Sequence, residues 1–242
     1  MPVGLPEFVE NPENRCPVIL LLDTSGSMSG QPIQELNRGL AAFKEDVMKD
    51  AQASLSVEVA IVTFGPVKLT QDFVTIDHFT PPKLETEGVT PMGEAIEYAL
   101  DLLETRKQTY KDNGVHYYRP WVFLITDGAP TDYWQGAAQR VREEEEQRRM
   151  LFFTVGVQGA DMNKLKQIAP RPPVMLNGLD FRSLFHWLST SMKRVSSGKV
   201  EEYLRETDKP EDDDQYVIDF LNSERLNSRT DDDKTLLLCL FE

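Results

Sequence analysis

Three short runs, PVILLL (17–22), WVFLIT (121–126) and MLFFTVGV (150–157), are apolar at nearly every position. A strand with one wet face alternates apolar and polar residues, whereas a strand that is apolar throughout must be covered on both faces. Between the runs the hydrophobic period changes. From Gln31–Pro32 onward, Ile33, Leu36, Leu40, Phe43 and Val47 recur at three- and four-residue steps, which predicts a helix with one apolar side. A second helix is predicted from Met92, striped by Ala95, Ile96, Ala99, Leu100 and Leu103. Further helices are predicted at 135–149, 162–169 and 181–196, the last facing inward through Leu184, Trp187, Leu188 and Met192. Strands are also predicted at 54–64, 67–76 and 173–177. Only Gly65–Pro66 separates the first two, too short a link for a helical crossover, so 67–76 is expected as an antiparallel edge strand. The expectation is an α/β fold: a doubly wound, mainly parallel six-stranded sheet with one antiparallel edge and helices on both faces.

Charge divides the chain. Residues 201–242 hold 14 acidic and five basic side chains, against 26 and 21 in the preceding 200. The expected organisation is an N-terminal extension over 1–14, one domain over 15–197 and an acidic tail over 198–242, with a short helix at 216–226 and a strand at 235–240. The acidic runs read as solvated linkers or, alternatively, as carboxylates that occupy the molecule's own binding site. A net charge of −14 argues against nucleic acid or an anionic membrane as partner. Cys16 and Cys239 form neither a disulfide framework nor a zinc site. There is no basic segment followed by an apolar core, and no apolar stretch near bilayer length, so a cytoplasmic location is expected.

In such sheets ligands bind beyond the carboxyl ends of the strands. Asp23 ends the first strand and Asp127 ends WVFLIT. After Asp23 the chain reads TSGSMSG, with Ser25 and Ser27 each two residues further on. Alternate residues of an extended segment point the same way, so Asp23, Ser25 and Ser27 can converge. Carboxylates and hydroxyls are hard oxygen donors, suited to Mg²⁺, Mn²⁺ or Ca²⁺ rather than zinc.

These residues resemble a known family. DTSGSM (23–28) is similar to the DxSxS motif of von Willebrand factor A domains. Thr90 in GVTPMGEAI and Asp127 in LITDGAPTD stand where that family places a threonine and an aspartate. The resemblance implies a metal-ion-dependent adhesion site made by Asp23, Ser25, Ser27, Thr90 and Asp127, holding Mg²⁺ (or Mn²⁺ or Ca²⁺) with one position open for a partner's Asp or Glu. It thus implies a non-enzymatic, metal-dependent protein-binding module. DTSGSMSGQPI, TPMGEAI and LITDGAPTD look closest to the bacterial tellurite-resistance, TerY-like branch, whose members resemble accessory proteins encoded beside a kinase and a phosphatase.

Other readings stand beside this one. Thr86 shares the loop with Thr90, and Thr90 is also placed to cap a helix. A Mg²⁺-dependent phosphoryl-transfer enzyme would use a similar strand-end aspartate, with Asp132 either a further rim carboxylate or a helix cap. A subunit of an ATPase- or chelatase-like assembly is a third possibility. Tyr117, Tyr118 and Trp121 suit either a partner surface or burial against the sheet, and EEEEQRR (143–149) reads as a solvated helix face.

Overall fold

The computed structural model describes residues 6–197. Six strands make one sheet in the order β3-β2-β1-β4-β5-β6: β1 Cys16–Asp23, β2 Val57–Phe64, β3 Lys68–Thr75, β4 Trp121–Thr126, β5 Leu151–Gly156 and β6 Val174–Met175. All neighbours run parallel except β2 and β3. The fold is therefore the expected mainly parallel sheet with one antiparallel edge. The predicted helix at 216–226 and strand at 235–240 lie outside the described residues. No helix among the described residues is long and apolar enough to cross a membrane.

Strand β1 is buried at all eight positions, and its alternation divides the core. Val18, Leu20 and Leu22 join one hydrophobic cluster with helices α2 (Gln31–Val47) and α7 (Phe181–Ser196). Ile19 and Leu21 join another, with α4 (Met92–Asp112), α5 (Gln135–Glu146) and α6 (Met162–Ile168). Two short helices, α1 (Pro6–Val9) and α3 (Ala51–Ser56), complete the set.

Two local readings differ from the structure, and one left open falls to burial. The segment 54–64 is not all strand: Asp50 accepts the Ala53 N–H and starts α3, so extended backbone begins only at Val57. A side-chain cap on the first turn overrides the alternation of Ser54, Ser56 and Glu58. The charged helix ends at Glu146, and its Glu145 turns inward to accept Phe152 N–H at 2.6 Å and Arg171 Nε at 3.0 Å. The aromatic segment 109–121 lies at the amino ends of the strands, where Trp121 is buried and Tyr117 packs on Tyr110.

Residues 76–91 are more than a loop. They begin at the amino end of the sheet, where Ile76 N–H bonds Val57 O, and climb back alongside α2. Lys44 bonds Phe79 O, and Asn37 exchanges two hydrogen bonds with Leu84. The climb ends at the carboxyl edge, where Glu87 N–H meets Thr24 O. Thr90 is delivered beside Asp23 in this way.

Candidate metal centre

Asp23, Ser25, Ser27, Thr90 and Asp127 come from three segments and gather at the carboxyl edge of β1 and β4. Asp23 is the last residue of β1 and is fully buried. Its Oδ1 accepts the Ser25 N–H at 2.8 Å, and its Oδ2 accepts the Thr126 hydroxyl. The chain then makes a tight 3-10 turn over Gly26–Met28, which brings Ser25 Oγ within 3.0 Å of Ser27 Oγ. The Ser27 hydroxyl donates to Asp127 Oδ1 at 2.7 Å. Ser25 and Thr90 are buried beneath, whereas Ser27 is exposed and Asp127 half-buried. The cluster is thus closed below and open to solvent above.

Thr90 joins from the other side. A Cβ placed on Gly128 would lie 3.4 Å from Thr90 Oγ1 and 3.9 Å from Asp23 Oδ2, so the two oxygens border the same small space. Thr90 is 6% exposed as a residue, and its hydroxyl, which makes no hydrogen bond to the described residues, keeps some access to solvent. It does not cap α4; that role belongs to Asp132, which accepts Gly93 N–H at 3.0 Å and Glu94 N–H at 2.8 Å. Both carboxylate oxygens of Asp132 are engaged there, so it is a cap and not a further rim donor. Thr86 makes no hydrogen bond to the cluster and is only half-buried.

Burial pushes the Asp23 carboxyl above its ordinary value; hydrogen bonds from Ser25 and Thr126 work against this, and the nearby Asp127 charge adds to it. A desolvated carboxylate beside a second carboxylate is the arrangement that a cation relieves. Among the described residues no three His, Cys, Asp or Glu side chains are placed to hold a metal ion. Any ion here would rely on hydroxyl donors as well. Two carboxylates and three hydroxyls, one of them the uncommitted Thr90 oxygen, fit a hard divalent cation that keeps waters.

Three residues support the cluster; Thr126 and Gly65 were not identified as such from the sequence, which offered Asp132 as either a helix cap or a rim carboxylate. Thr126 steadies Asp23 across 103 residues and accepts Gly128 N–H at 3.1 Å. Asp132 ties the Asp127 loop to α4, and Thr131 N–H bonds Thr90 O at 2.9 Å. Gly65, at φ +128, presses against the site from β2: a Cβ there would stand 2.7 Å from Ser25 N and 2.6 Å from Glu87 O. The signal was local only for Thr126, a hydroxyl next to the strand-end aspartate.

The fold and the gathered oxygens define a class: a doubly wound α/β domain with an oxygen-donor cluster on its carboxyl edge. Residues 18–187 match the von Willebrand factor type A domain, and the chain belongs to that family. No curated protein matches the chain. Solved structures share the fold at low identity. Proximal thread matrix protein 1 from the mussel byssus is 18% identical over 74% of this chain and 48% of its own, with a TM-score of 0.52. The pilus adhesin SpaC of Lactobacillus rhamnosus GG, in an open conformation, is 12% identical over 75% and 30%, with a TM-score of 0.60. The ArnB paralogue VWA2 of Sulfolobus acidocaldarius is 16% identical over 74% and 45%, with a TM-score of 0.50. This chain spans less than half the length of each of these proteins.

Proposed function

We propose that this chain is a non-enzymatic protein-binding module. In this reading Asp23, Ser25, Ser27, Thr90 and Asp127 hold Mg²⁺, or Mn²⁺ or Ca²⁺ in its place, and a partner's Asp or Glu completes the ion's shell. The observation that supports it most is the Thr90 hydroxyl, which borders the same small space as Asp23 Oδ2 and makes no hydrogen bond to the described residues. When bound, the cation would supply an electrophilic position for an incoming carboxylate. The chain's own part is to stop at two carboxylates: hydroxyls, rather than further carboxylates, fill out the donor set, so the open position stays electrophilic. The commitment of Asp132 to α4 removes Asp132 as the further rim carboxylate on which the phosphoryl-transfer alternative drew.

The similarity of DTSGSMSGQPI, TPMGEAI and LITDGAPTD to TerY-like proteins supports a finer reading. On it, the chain is a cytoplasmic accessory factor in a tellurite-resistance, stress-response or kinase–phosphatase system. Self-occupancy by the acidic residues of 198–242 is the rival to a solvated linker: it requires that removal of 201–242 raise partner affinity, where a linker requires no change. The central test is thermal melting with Mn²⁺ or Mg²⁺ against EDTA. Wild type should melt at least several degrees higher with the ion, since ion binding at 100 times Kd contributes about 2.7 kcal/mol. Asp127→Ala should keep the fold and lose the shift. A wild-type melting temperature indifferent to the ion refutes the reading.

A further inference from the structure

The rim that surrounds the cluster consists of residues 24–30, 85–91, 127–134 and 157–161. These segments contain no lysine, arginine or histidine. Outside the donor set they bring Glu85, Glu87, Asp132 and Asp161. Asp132 and Asp161 are spent on helix N-termini, Asp161 accepting Asn163 and Lys164 N–H. Glu85 and Glu87 are exposed, as is Glu94 in the first turn of α4. Lys83, two residues before Glu85, lies just outside and is 3.9 Å from it.

Two large apolar side chains stand out on this anionic ground. Val89 is 64% exposed and Tyr133 is 78% exposed. They sit on the two segments that bring in Thr90 and Asp127. Neither is exposed through slack backbone. Val89 lies between Gly88, whose carbonyl accepts Gly26 N–H at 3.1 Å, and Thr90, whose carbonyl accepts Thr131 N–H at 2.9 Å. Tyr133 lies between Asp132, fixed on α4, and Trp134, whose carbonyl accepts Ala138 N–H at 2.9 Å. Fixed apolar groups on a wet surface offer contact area at little ordering cost.

We propose that this rim docks a protein segment whose metal-seeking Asp or Glu is flanked by lysine or arginine and by an apolar side chain. The inference rests on the metal-dependent reading and adds the partner's chemistry. The ion would be roughly neutralised by Asp23 and Asp127, so an incoming carboxylate adds net negative charge beside Glu85 and Glu87. A flanking cation offsets that repulsion and pairs with the rim. An apolar neighbour covers Val89 or Tyr133. The chain's own residues 201–242, with 14 acidic and five basic side chains, have the wrong sign for this surface.

The test uses the full chain, immobilised and saturated with Mn²⁺. A synthetic library of nine-residue peptides, with a fixed central glutamate and randomised flanks, is bound and then eluted with EDTA. Lysine plus arginine should rise at least about threefold over the input pool in the flanks, with apolar residues enriched beside them. A Glu85→Lys, Glu87→Lys double variant should abolish or reverse the charge bias. Val89→Ser with Tyr133→Ser should remove the apolar enrichment while Mn²⁺ affinity, measured by calorimetry, stays within about twofold, because neither is a donor. A synthetic 201–242 peptide should fail to displace the eluted sequences. A charge-neutral or acidic pool, a bias the double variant leaves intact, or displacement by 201–242 overturns the inference while intact Mn²⁺ binding leaves the metal reading standing. Loss of Mn²⁺ binding by wild type takes both down.

Discussion

At the scale of single residues, the centre turns on a hydroxyl that the protein leaves unbonded. Thr90 Oγ1 makes no hydrogen bond to the described residues and borders the space beside Asp23 Oδ2, so its removal breaks no protein contact. Thr90→Val keeps its shape and removes only that oxygen. The variant should therefore melt in EDTA no lower than wild type, and should lose on the order of tenfold in Mn²⁺ affinity, the loss typical of a weakened ligand set. Calorimetric titration with parallel melts measures both. A large drop in the EDTA melting temperature would show that the hydroxyl has a structural partner after all. Asp23, Ser25, Ser27, Thr90 and Asp127 were legible in the sequence because each is a polar residue at the end of an apolar run or before a helix. Thr126 and Gly65 were not, and for Asp132 the sequence left capping and a rim role undecided. Their partners are 103, 40 and 39 positions away, and only the closed sheet brings them near.

At the scale of elements, legibility followed the strength of local punctuation. Strand β4 and helix α7 lie where the periodicity put them: Pro120 and Asp127 bracket the first, and the Asp180 side chain caps the second by accepting Ser183 N–H. Helix α3 was hidden, because six residues are too few to show a period and Asp50 alone starts it. Packing between α2 and α7 includes a titratable link. Asp46 Oδ2 pairs with His186 Nδ1 at 2.7 Å, and Lys49 bonds Asp46 Oδ1 at 2.6 Å. Burial works to raise the Asp46 carboxyl, but the bonds from Lys49 and His186 outweigh it and hold it below its ordinary value. A carboxyl depressed in the folded state binds fewer protons there than in the unfolded chain. Its contribution is present above the unfolded value and is lost as pH falls through the folded one. Asp46→Asn should cost about 0.5–1 kcal/mol at pH 7, and the difference should fade as the pH drops below the ordinary carboxylate range. Urea denaturation at pH 7 and at acid pH measures it; a pH-independent difference would mean that the charge is not what matters.

At the scale of the whole molecule, the two ends of the sheet are built to opposite rules. The carboxyl edge leaves hydroxyls uncommitted. The amino edge closes around a buried ionic cluster: Glu58 accepts Arg15 Nε at 2.9 Å, Arg106 Nε at 3.0 Å and Nη2 at 2.8 Å, and the Tyr110 hydroxyl. Burial and the Glu58 charge push the Tyr110 phenol well up, so it stays a donor throughout the working range. Glu58→Ala strands two guanidinium groups in the interior and should cost about 3–5 kcal/mol. Glu97→Ala, which removes a half-exposed partner of Arg140, should cost at most ~1 kcal/mol; equal losses by chemical denaturation would contradict this contrast. The segment before β1 seals the same end. The Phe8 ring lies 5.4 Å from the Arg15 guanidinium and 5.1 Å from that of Arg106, while Glu7 bonds Arg106 Nη1 at 2.9 Å. Removal of residues 1–13 keeps Arg15 and strips this cover. It deletes a buried Phe8, and burial of such a ring is worth roughly 1.5–3 kcal/mol, so the melting temperature should fall by several degrees. The ion site stands at the other end of β1, separated by the length of a strand whose eight residues are all buried, and distant sites that share no partner act additively. Mn²⁺ affinity of the truncated chain should therefore stay within about twofold of the full chain's, and a larger change in calorimetric titration would mean that the two ends of the sheet are coupled through α4, which joins the Thr90 segment to Arg106 and Tyr110.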